Sequence, residues 1–332
     1  MNSKIHIIAE AGTNHNGRLD KAMNLAKIAK IADANSVKYQ IIYPEGLYLP
    51  GNYEYGHYDI KEVIRIRKEG MLSDQAYHEL ANYCKQIGIS FTASVFDKQG
   101  LDLLDKFDPP FIKTASCDLN NVRFLKQVAD KGRKIIISTG MASLSDIEYS
   151  LNELAKTNFT DYVLLHCVSV YPAAINQTNL SFLDVLKSNF DCEIGFSDHT
   201  ESSIAACIAL AKGATWFEKH FTEDKSQNGF DHAYAMEKKD LIDYVKDLKA
   251  AEISLTVKDE KLSEAELYTR KRARRSLYAA RDISIGDIIK NEDILVLRPE
   301  GMMHANEVDL LVGKKIKSSI KQYQPFNYNM IL

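Results

Sequence analysis

Two lysines and several serines lie at the ends of short apolar runs in this sequence. Lys38 lies in SVKYQ and Lys113 in FIKTAS, and hydroxyl groups hold similar places in other runs. Ammonium groups among hydroxyl donors suit a compact dianion such as phosphate, by charge and by hydrogen bonding. A single serine at a strand end can also merely cap a turn. We predict that the set binds a phosphate-bearing anion, with hydroxyls from Ser94, Ser116, Ser138, Ser169 and Ser197.

Two histidines end two consecutive apolar runs, EIGFSDH with His199 and WFEKH with His220. If these runs are neighbouring strands, about 4.8 Å apart, both imidazoles can reach one ion. A lone histidine in such a place is usually a hydrogen-bonded polar residue, but a pair predicts a divalent metal. Two protein ligands leave much of the coordination sphere open, as Lewis-acid catalysis requires. Imidazole and oxygen ligands suit Mn, Zn, Co or Mg, and the spacing does not choose among them.

Glu10 ends the first apolar run, IHIIAEAG, and we expect it to lie amid the positive charge of the lysines and the metal. A nearby cation holds a carboxylate ionised, which favours a role as proton acceptor. The alternative is a salt bridge that only balances the charge of the lysines.

The elements that position these residues are short strands alternating with helical patterns. Strand-helix alternation predicts a parallel sheet, and eight such units in about 220 residues favour a closed barrel. The first turn, residues 11–17, lacks the GxGxxG of a dinucleotide-binding open sheet. Residues 43–72 form an insertion rich in Tyr and Gly. The predicted strands are 5–12, 36–40, 89–95, 111–116, 134–140, 162–168, 193–199 and 216–222.

Active sites of such barrels lie at the carboxyl ends of the strands, and strand residues of one parity face the axis together. By this rule Glu10, Lys38, Lys113, His199 and His220 converge on one mouth, together with Gln40, Ser94, Ser138, Ser197 and Glu218. His6 falls at the opposite end of the first strand, and we interpret it as structural, as we do His166.

A second domain follows the barrel, which we assign to residues 1–257. Residues 258–275 are charged and almost free of large apolar groups, and we interpret them as a linker. Residues 276–332 have short strands and turns. So small a domain is near the limit for a free-standing core, so we expect it to dock on its own barrel or on a partner's.

The composition is that of an ordinary globular protein, with 45% hydrophobic and 26% charged residues. A net charge of −3 gives no global attraction to nucleic acid, and no apolar stretch approaches the length of a membrane span. Five cysteines, an odd number without a CxxC pair, predict reduced thiols in a cytoplasmic protein.

Several of these segments also form a set of motifs in a fixed order. The sequence resembles the sialic acid synthase family, whose members condense phosphoenolpyruvate with an N-acylated hexose to give nine-carbon 2-keto acids. The tail, with SLYAARDISIGD and LRPEG, resembles the antifreeze-like (SAF) domain of that family. The motifs are AEAGTNHNG, VKYQ, FIKTASCDLNN, STGM, LLHCVSVYPA, GFSDHT and EKHFT.

The resemblance implies a (β/α)8 TIM barrel followed by a small SAF domain, in a domain-swapped homodimer. It implies that Glu10 is the acid/base and that His199 and His220 bind a divalent metal, usually Mn²⁺, with Mg²⁺ or Co²⁺ as alternatives. No organic cofactor is implied, since the enol phosphate carries the activation. The implied phosphoenolpyruvate ligands are Lys38, Lys113, Ser116, Ser138 and Ser197, and Ser94 matches a family hydroxyl position. The implied sugar-binding residues are Gln40, Asp118, Tyr171, Asp231 and Arg298.

The sequence departs from the sialic acid synthase pattern at a few positions. Ser169 replaces a frequent Asn, Asp118 replaces a Glu, and Arg274-Arg275-Ser276 replaces an aromatic-containing segment. These departures leave the sugar open, because the related legionaminic and pseudaminic acid synthases share the same core.

Two other functions remain as alternatives. One is a Schiff-base pyruvate aldolase with Lys113 or Lys219 as nucleophile. Lys219 has the parity opposite to His220 and should point away from the axis, which weakens this reading. The other is a carbohydrate-binding protein with an inactive barrel, against which the intact set of charged residues argues.

Overall fold

The computed structural model describes residues 5–49, 51, 54–55, 58–256 and 262–331. The chain divides into two compact units, residues 1–256 and residues 257–332. Within the described part of the chain, no helix combines the length and apolar character that crossing a membrane requires.

The first unit is a closed barrel of eight parallel strands surrounded by helices, as the sequence predicts. The barrel strands are β1 His6–Gly12, β2 Ser36–Ile41, β5 Ser90–Val95, β6 Phe111–Thr114, β7 Lys134–Ser138, β8 Tyr162–Cys167, β9 Glu193–Asp198 and β10 Trp216–His220. The helices between and after them are α1 Leu19–Ile31, α4 Asp74–Ile87, α5 Lys98–Asp105, α6 Val122–Ala129, α7 Leu144–Ala155, α8 Phe182–Asn189, α9 Ile204–Ala211 and α10 Lys238–Leu255. Each strand pairs with its neighbour in the order of the chain, and β1 pairs with β10 to close the ring.

The insertion between β2 and α4 contains the helices α2 Pro44–Leu47 and α3 Ile60–Glu69 and the short paired strands β3 Glu54–Tyr55 and β4 Tyr58–Asp59. The Asp59 carboxylate caps α3 by accepting from the backbone N–H groups of Lys61 and Glu62. This cap fixes the residue at which helix α3 of the insertion begins.

Two clusters of buried apolar residues form the core of the barrel. The larger one lies between the strands and the helices, where strand residues such as Ile7 and Val37 are fully buried. The smaller one fills the amino-terminal end of the barrel and contains Ile8, Phe111, Ile136, Val163, Leu165 and Trp216. The His6 ring stacks on Trp216 with centroids 4.2 Å apart, so this histidine belongs to the apolar plug. Polar side chains are left for the carboxyl ends of the strands.

The second unit has a small core of its own. Strands β11 Ser276–Ala279 and β12 Ile294–Leu297 pair antiparallel, and the core contains Leu277, Ala279, Ile283, Ile289, Met303, Leu311, Ile316, Ile320 and Phe326. Residues 262–275 of the segment that we interpret as a linker include a helix, α11 Glu264–Ala273, which groups with this unit. Residues 258–261 lie outside the described residues.

Helix α11 forms because Ser263 and Glu266 make a capping box at its start. Arg270 of the same helix donates from Nε to Glu300 at 2.7 Å.

Candidate active site

A cavity of about 700 Å³ opens at the carboxyl ends of the barrel strands. It brings together most of the residues that strand parity predicts to converge. Its wall includes Glu10, Lys38, Gln40, Ser94, Lys113, Ser116, Ser138, Tyr171, Ser197, His199, Glu218, His220, Asp231 and Tyr234.

Both lysines reach the cavity floor as buried groups. The Lys38 ammonium lies 2.8 Å from Glu10 Oε2 and 3.5 Å from Glu218 Oε2, and it donates to Ser94 Oγ at 2.7 Å. Lys113 Nζ donates to Ser138 Oγ and to the Thr114 carbonyl, both at 2.6 Å. Each lysine is only 2% exposed. A buried ammonium is little screened by water, so an arriving anion interacts with it strongly. Burial by itself would lower the pKa of Lys38, but the carboxylates of Glu10 and Glu218 raise it, whereas burial lowers the pKa of Lys113.

The two carboxylates beside Lys38, Glu10 and Glu218, have pKa values shifted in opposite directions. Burial raises the pKa of Glu10 to about 7, because the opposing attraction of Lys38 is smaller and Glu218 adds to the rise. Burial by itself would also raise the pKa of Glu218, but Lys38 and Lys113 together lower it to about 2. Two titratable groups with separated pKa values can hold different roles in one site. Glu10 is the one that can exchange a proton near neutral pH.

We expected the lysines and a metal to hold Glu10 ionised, and Lys38 by itself does not bring the pKa of Glu10 down to its ordinary value. Glu10 is 1% exposed, so desolvation outweighs the Lys38 charge. Glu10 also accepts from Gln40 Nε2 at 2.9 Å.

A close approach of three chain segments shapes the wall near Ser116. The backbone N–H of Gly140 donates to Ser116 Oγ at 3.1 Å, and Cys167 Sγ lies 3.2 Å from the same hydroxyl. A Cβ on Gly140 would lie 2.3 Å from Ser169 Oγ and 2.8 Å from Ser116 Oγ. A side chain at this position would require these hydroxyl groups to move. The Ser169 hydroxyl therefore lies beside this cluster, although Ser169 is not among the residues described on the cavity wall.

The two histidines lie side by side, with ring centroids 5.5 Å apart. His199 Nδ1 pairs with the Val168 carbonyl at 2.7 Å, which leaves Nε2 on the side of Ser197. Burial lowers the pKa of His199 to about 4 and also lowers that of His220. Both imidazoles are therefore neutral at pH 7, the form that binds metals.

Unpaired atoms beside the histidines fit a cation. His220 Nδ1 and Asp231 Oδ2 are buried without a hydrogen-bond partner and lie 4.0 Å apart. Buried polar atoms without a partner are rare, so these two atoms fit a cation bound beside the histidines. Among the residues that the structure describes, no group of three or more His, Cys, Asp or Glu side chains is arranged to hold a metal. Two histidine ligands alone would leave coordination positions for a substrate or water.

Around the histidines lie aromatic and carboxylate groups that suit a polar ligand. The Tyr171 ring lies 4.2 Å from the His199 ring, and Tyr234 donates its hydroxyl to Asp231 Oδ1 at 2.6 Å. Gly12, at φ +54°, lets Asp231 and Gln40 approach β1, since a Cβ there would lie 2.7 Å from Asp231 Oδ2.

Some predicted residues lie elsewhere. Asp118 is buried in a 3-10 turn, where its carboxylate accepts from Asn121 Nδ2 at 3.2 Å, and it is not among the described wall residues. Arg298 is exposed in the second unit. Lys219 points away from the axis, as its parity predicts, and donates to the Thr200 carbonyl. His166 Nε2 pairs with the Thr178 carbonyl at 2.7 Å, which supports its structural interpretation.

The wall also includes Glu218, Tyr234 and Arg67, for which no role was predicted from the sequence. Glu218 shares the parity of His220, so that signal was present. Tyr234 and Arg67 come from a loop and from the insertion, where no strand period applies.

The fold and the cavity define a (β/α)8-barrel protein whose mouth holds paired lysines, carboxylates and histidines, followed by a small second unit. Residues 25–260 match the NeuB family and residues 274–332 match the SAF domain. The chain belongs to the NeuB family, which confirms the resemblance to sialic acid synthases.

Relatives with assigned names span nearly the whole chain. The N,N'-diacetyllegionaminic acid synthase of Legionella pneumophila is 33% identical over 95% of this chain and 91% of its own length. The pseudaminic acid synthase of Campylobacter jejuni is 32% identical over 96% of this chain and 94% of its own length. The structure of N-acetylneuraminic acid (sialic acid) synthetase from Leptospira borgpetersenii, in complex with citrate, has a TM-score of 0.73 and 32% identity. The matched region covers 81% of this chain and 90% of the Leptospira protein.

Proposed function

We propose that this chain is a nonulosonic (sialic) acid synthase. It condenses phosphoenolpyruvate with an N-acyl hexose, N-acetylmannosamine or a diacetamido-hexose, and releases phosphate and a nine-carbon 2-keto acid. The observation that carries the proposal is the pair of buried lysines, Lys38 and Lys113, in one cavity with Glu10, His199 and His220. The named activities of the relatives agree with it.

Phosphoenolpyruvate carries a carboxylate and a phosphate, and the two lysines oppose these charges. Lys113 and Ser138 already share a hydrogen bond, so they form a preorganised pair of donors for one anionic group. Lys38 and Ser94 form a second such pair. The hydroxyls of Ser116, Ser169 and Ser197 complete the proposed set of donors.

The carbon skeleton then forms in a balanced sequence. The methylene carbon of phosphoenolpyruvate attacks the aldehyde carbon of the open-chain acceptor, and positive charge develops at C2. Water adds to C2, and the C–O bond to phosphate breaks as the keto group forms. One proton from water goes to the former aldehyde oxygen and the other leaves with phosphate. Glu10, with a pKa of about 7, is the group that transfers a proton.

Glu218 has a different role, because it stays ionised. It lies 3.5 Å from Lys38 and accepts from Ser197 Oγ at 2.9 Å, so it positions the Lys38 ammonium and holds the Ser197 hydroxyl until a ligand anion competes for its proton. Its negative charge also stabilises the positive charge that develops at C2.

His199 and His220 would hold a divalent ion, for which we propose Mn²⁺, with Mg²⁺ or Co²⁺ as alternatives. The neutral rings and the unpaired His220 Nδ1 fit such an ion. When bound, it would supply Lewis-acid polarisation of a carbonyl oxygen. The Val168 carbonyl orients the His199 ring for this task.

Gln40, Tyr171 and Asp231 would bind the acceptor sugar, and the resemblance adds Asp118 and Arg298. We further propose a cytoplasmic, domain-swapped homodimer, in which Arg298 serves the partner's barrel. Exposure of Arg298 and of its neighbour Leu297 leaves them free to make such a contact.

Complementation tests this arrangement. The inactive variants Glu10→Ala and Arg298→Ala are unfolded and refolded together. If Arg298 acts on the partner's barrel, half the dimers are mixed and about a quarter of all sites recover activity. If it acts within its own chain, the mixture stays as inactive as its components.

A panel assay tests the function itself. Purified protein with phosphoenolpyruvate and manganese is offered N-acetylmannosamine and the diacetamido-hexose precursors of legionaminic and pseudaminic acid. Phosphate release that depends on one acceptor supports the proposal. Borohydride trapping of the chain by pyruvate, without metal, would instead support the Schiff-base aldolase.

A further inference from the structure

Arg67 lies on the wall of the candidate active-site cavity and also borders a second cavity of about 590 Å³ beside it. It belongs to helix α3 of the insertion, so it reaches the mouth from outside the barrel. The second cavity is otherwise lined by residues of the β1–α1 loop, of α3 and of the loop after β10, which include Asn16, Arg65 and Asn228.

Two contacts hold the Arg67 guanidinium in place. Its carbon lies 3.9 Å from the centroid of the Phe230 ring, and its Nη1 donates to Thr13 Oγ1 at 2.9 Å. Stacking on an aromatic face fixes the plane of a guanidinium and leaves its edges free to donate. Phe230 directly precedes Asp231, and Thr13 directly follows Gly12.

The Arg67 donors are only partly used. Its Nε is buried and has no hydrogen-bond partner. In the described part of the chain, no carboxylate lies within ion-pair distance of Arg67, whereas Arg65 of the same helix pairs with both Glu62 and Glu69. A buried donor without an acceptor is costly, so the Arg67 Nε–H is available to a ligand that brings an acceptor.

The position of Arg67 matches the far end of an acceptor. Along β1 and its loop, Glu10 lies in the cavity, Gly12 lies against Asp231 and Gln40, and Thr13 lies against Arg67. The aldehyde carbon must meet phosphoenolpyruvate near Lys38 and Lys113. The other end of the sugar chain would then extend past Asp231, toward the guanidinium, since both residues line the same cavity.

We propose that Arg67 is a specificity-determining residue, which donates hydrogen bonds to an oxygen at the end of the acceptor remote from its aldehyde. This inference rests on the proposed function, and it names the residue that reads the outer half of the sugar. A hydroxyl, an acyl carbonyl and a phosphate oxygen all offer this chemistry. Acceptors that carry each of them distinguish these sources.

The test compares Arg67→Met and Arg67→Lys with wild type. Methionine keeps an unbranched chain for packing on Phe230 but loses the donors, and lysine keeps the charge without the fork. Arg67→Met should raise the KM for the acceptor by roughly 10- to 100-fold, the range for losing a hydrogen bond to a charged group. The acceptor KM of Arg67→Lys should lie between those of wild type and Arg67→Met. The KM for phosphoenolpyruvate and the melting temperature should stay near the wild-type values.

Lys68→Met is the matched control, because it removes one charge from the adjacent position of α3. Lys68 is exposed and pairs with Glu45, away from the cavity wall. Lys68→Met should leave the KM values for the acceptor and for phosphoenolpyruvate unchanged. Acceptors with a C6 hydroxyl, a 6-phosphate or a 4-acetamido group then show which oxygen Arg67 contacts. The acceptor that carries this oxygen should show the largest increase in KM in Arg67→Met.

Two outcomes would overturn the inference. The first is that wild type is active and Arg67→Met has an acceptor KM within about twofold of the wild-type value. The inference is then wrong, and the proposed function still stands. If wild type condenses no acceptor, the proposed function fails, and calorimetric titration with the same acceptors decides on Arg67 separately. Weaker acceptor binding by Arg67→Met than by wild type supports the inference. The second outcome that contradicts it is equal acceptor binding by the two proteins, or no acceptor binding by wild type.

Discussion

Glu10→Gln is the substitution that separates acid/base catalysis from charge balance. Glutamine keeps the size of the side chain and can still meet Gln40 and Lys38, but it cannot exchange a proton. Loss of a general acid/base costs about 10²- to 10⁴-fold in rate. Turnover should fall by that amount, while the folded state and phosphoenolpyruvate binding persist.

The pH profile gives the magnitude that the structure predicts. With a pKa of about 7, Glu10 is ionised to about 90% at pH 8 and to about 10% at pH 6. If the ionised form is the one required, kcat/KM should fall about tenfold between these values. An ordinary glutamate would change by only a few per cent over the same range.

The assay is kcat/KM for phosphoenolpyruvate from pH 5.5 to 8.5, which reports groups of the free enzyme and free substrate. His199 has a pKa of about 4 and does not titrate in this window. The substrate phosphate titrates near pH 6, but it does so in both enzymes. The acidic fall should therefore be steeper in wild type than in Glu10→Gln. Glu148→Gln, an exposed carboxylate on α7, is the control.

Two results would refute this reasoning. Near-normal turnover in Glu10→Gln would mean that Glu10 only balances the charge of Lys38. Identical pH profiles in the two enzymes would mean that the titrating group is not Glu10.

Three further predictions concern the metal, the bond that breaks and the wall near Ser116. Chelation should abolish turnover, manganese should restore it, and His220→Ala should lose most bound manganese by elemental analysis; full activity without metal would contradict this. Label in the bridging oxygen of phosphoenolpyruvate should appear in the released phosphate, and label kept in the keto acid would indicate attack on phosphorus. Gly140→Ala should cost about 1–3 kcal/mol in the free energy of unfolding, measured by urea denaturation, because its Cβ would lie 2.3 Å from Ser169 Oγ. It should also raise the KM for phosphoenolpyruvate, and unchanged values would mean that the wall yields there.

The barrel and most of its mouth could be predicted from the sequence, because a parallel strand has a fixed period of two. Lys38, Lys113 and His220 needed only their parity and their place at strand ends to be assigned to the cavity. Lys219 was excluded by the same rule, and its side chain does point away from the axis.

The pKa of Glu10 could not be predicted, because it depends on how completely packing removes water around Glu10, Lys38 and Glu218. Arg67 could not be placed either, since an insertion helix has no period relative to the barrel axis. Helix α11 was missed although its signal was present. Ser263 and Glu266 have the spacing of a capping box, which the surrounding charge led us to interpret as part of a linker.

The mass of the product tests the central claim most directly. The protein is incubated with phosphoenolpyruvate, manganese and each acceptor of the panel, and products are analysed by mass spectrometry alongside phosphate release. We predict one new 2-keto acid that contains all carbons of phosphoenolpyruvate and of the acceptor, formed in equal amount to phosphate. Phosphate release with pyruvate as the only carbon product, or no reaction with any acceptor, would contradict the proposed synthase.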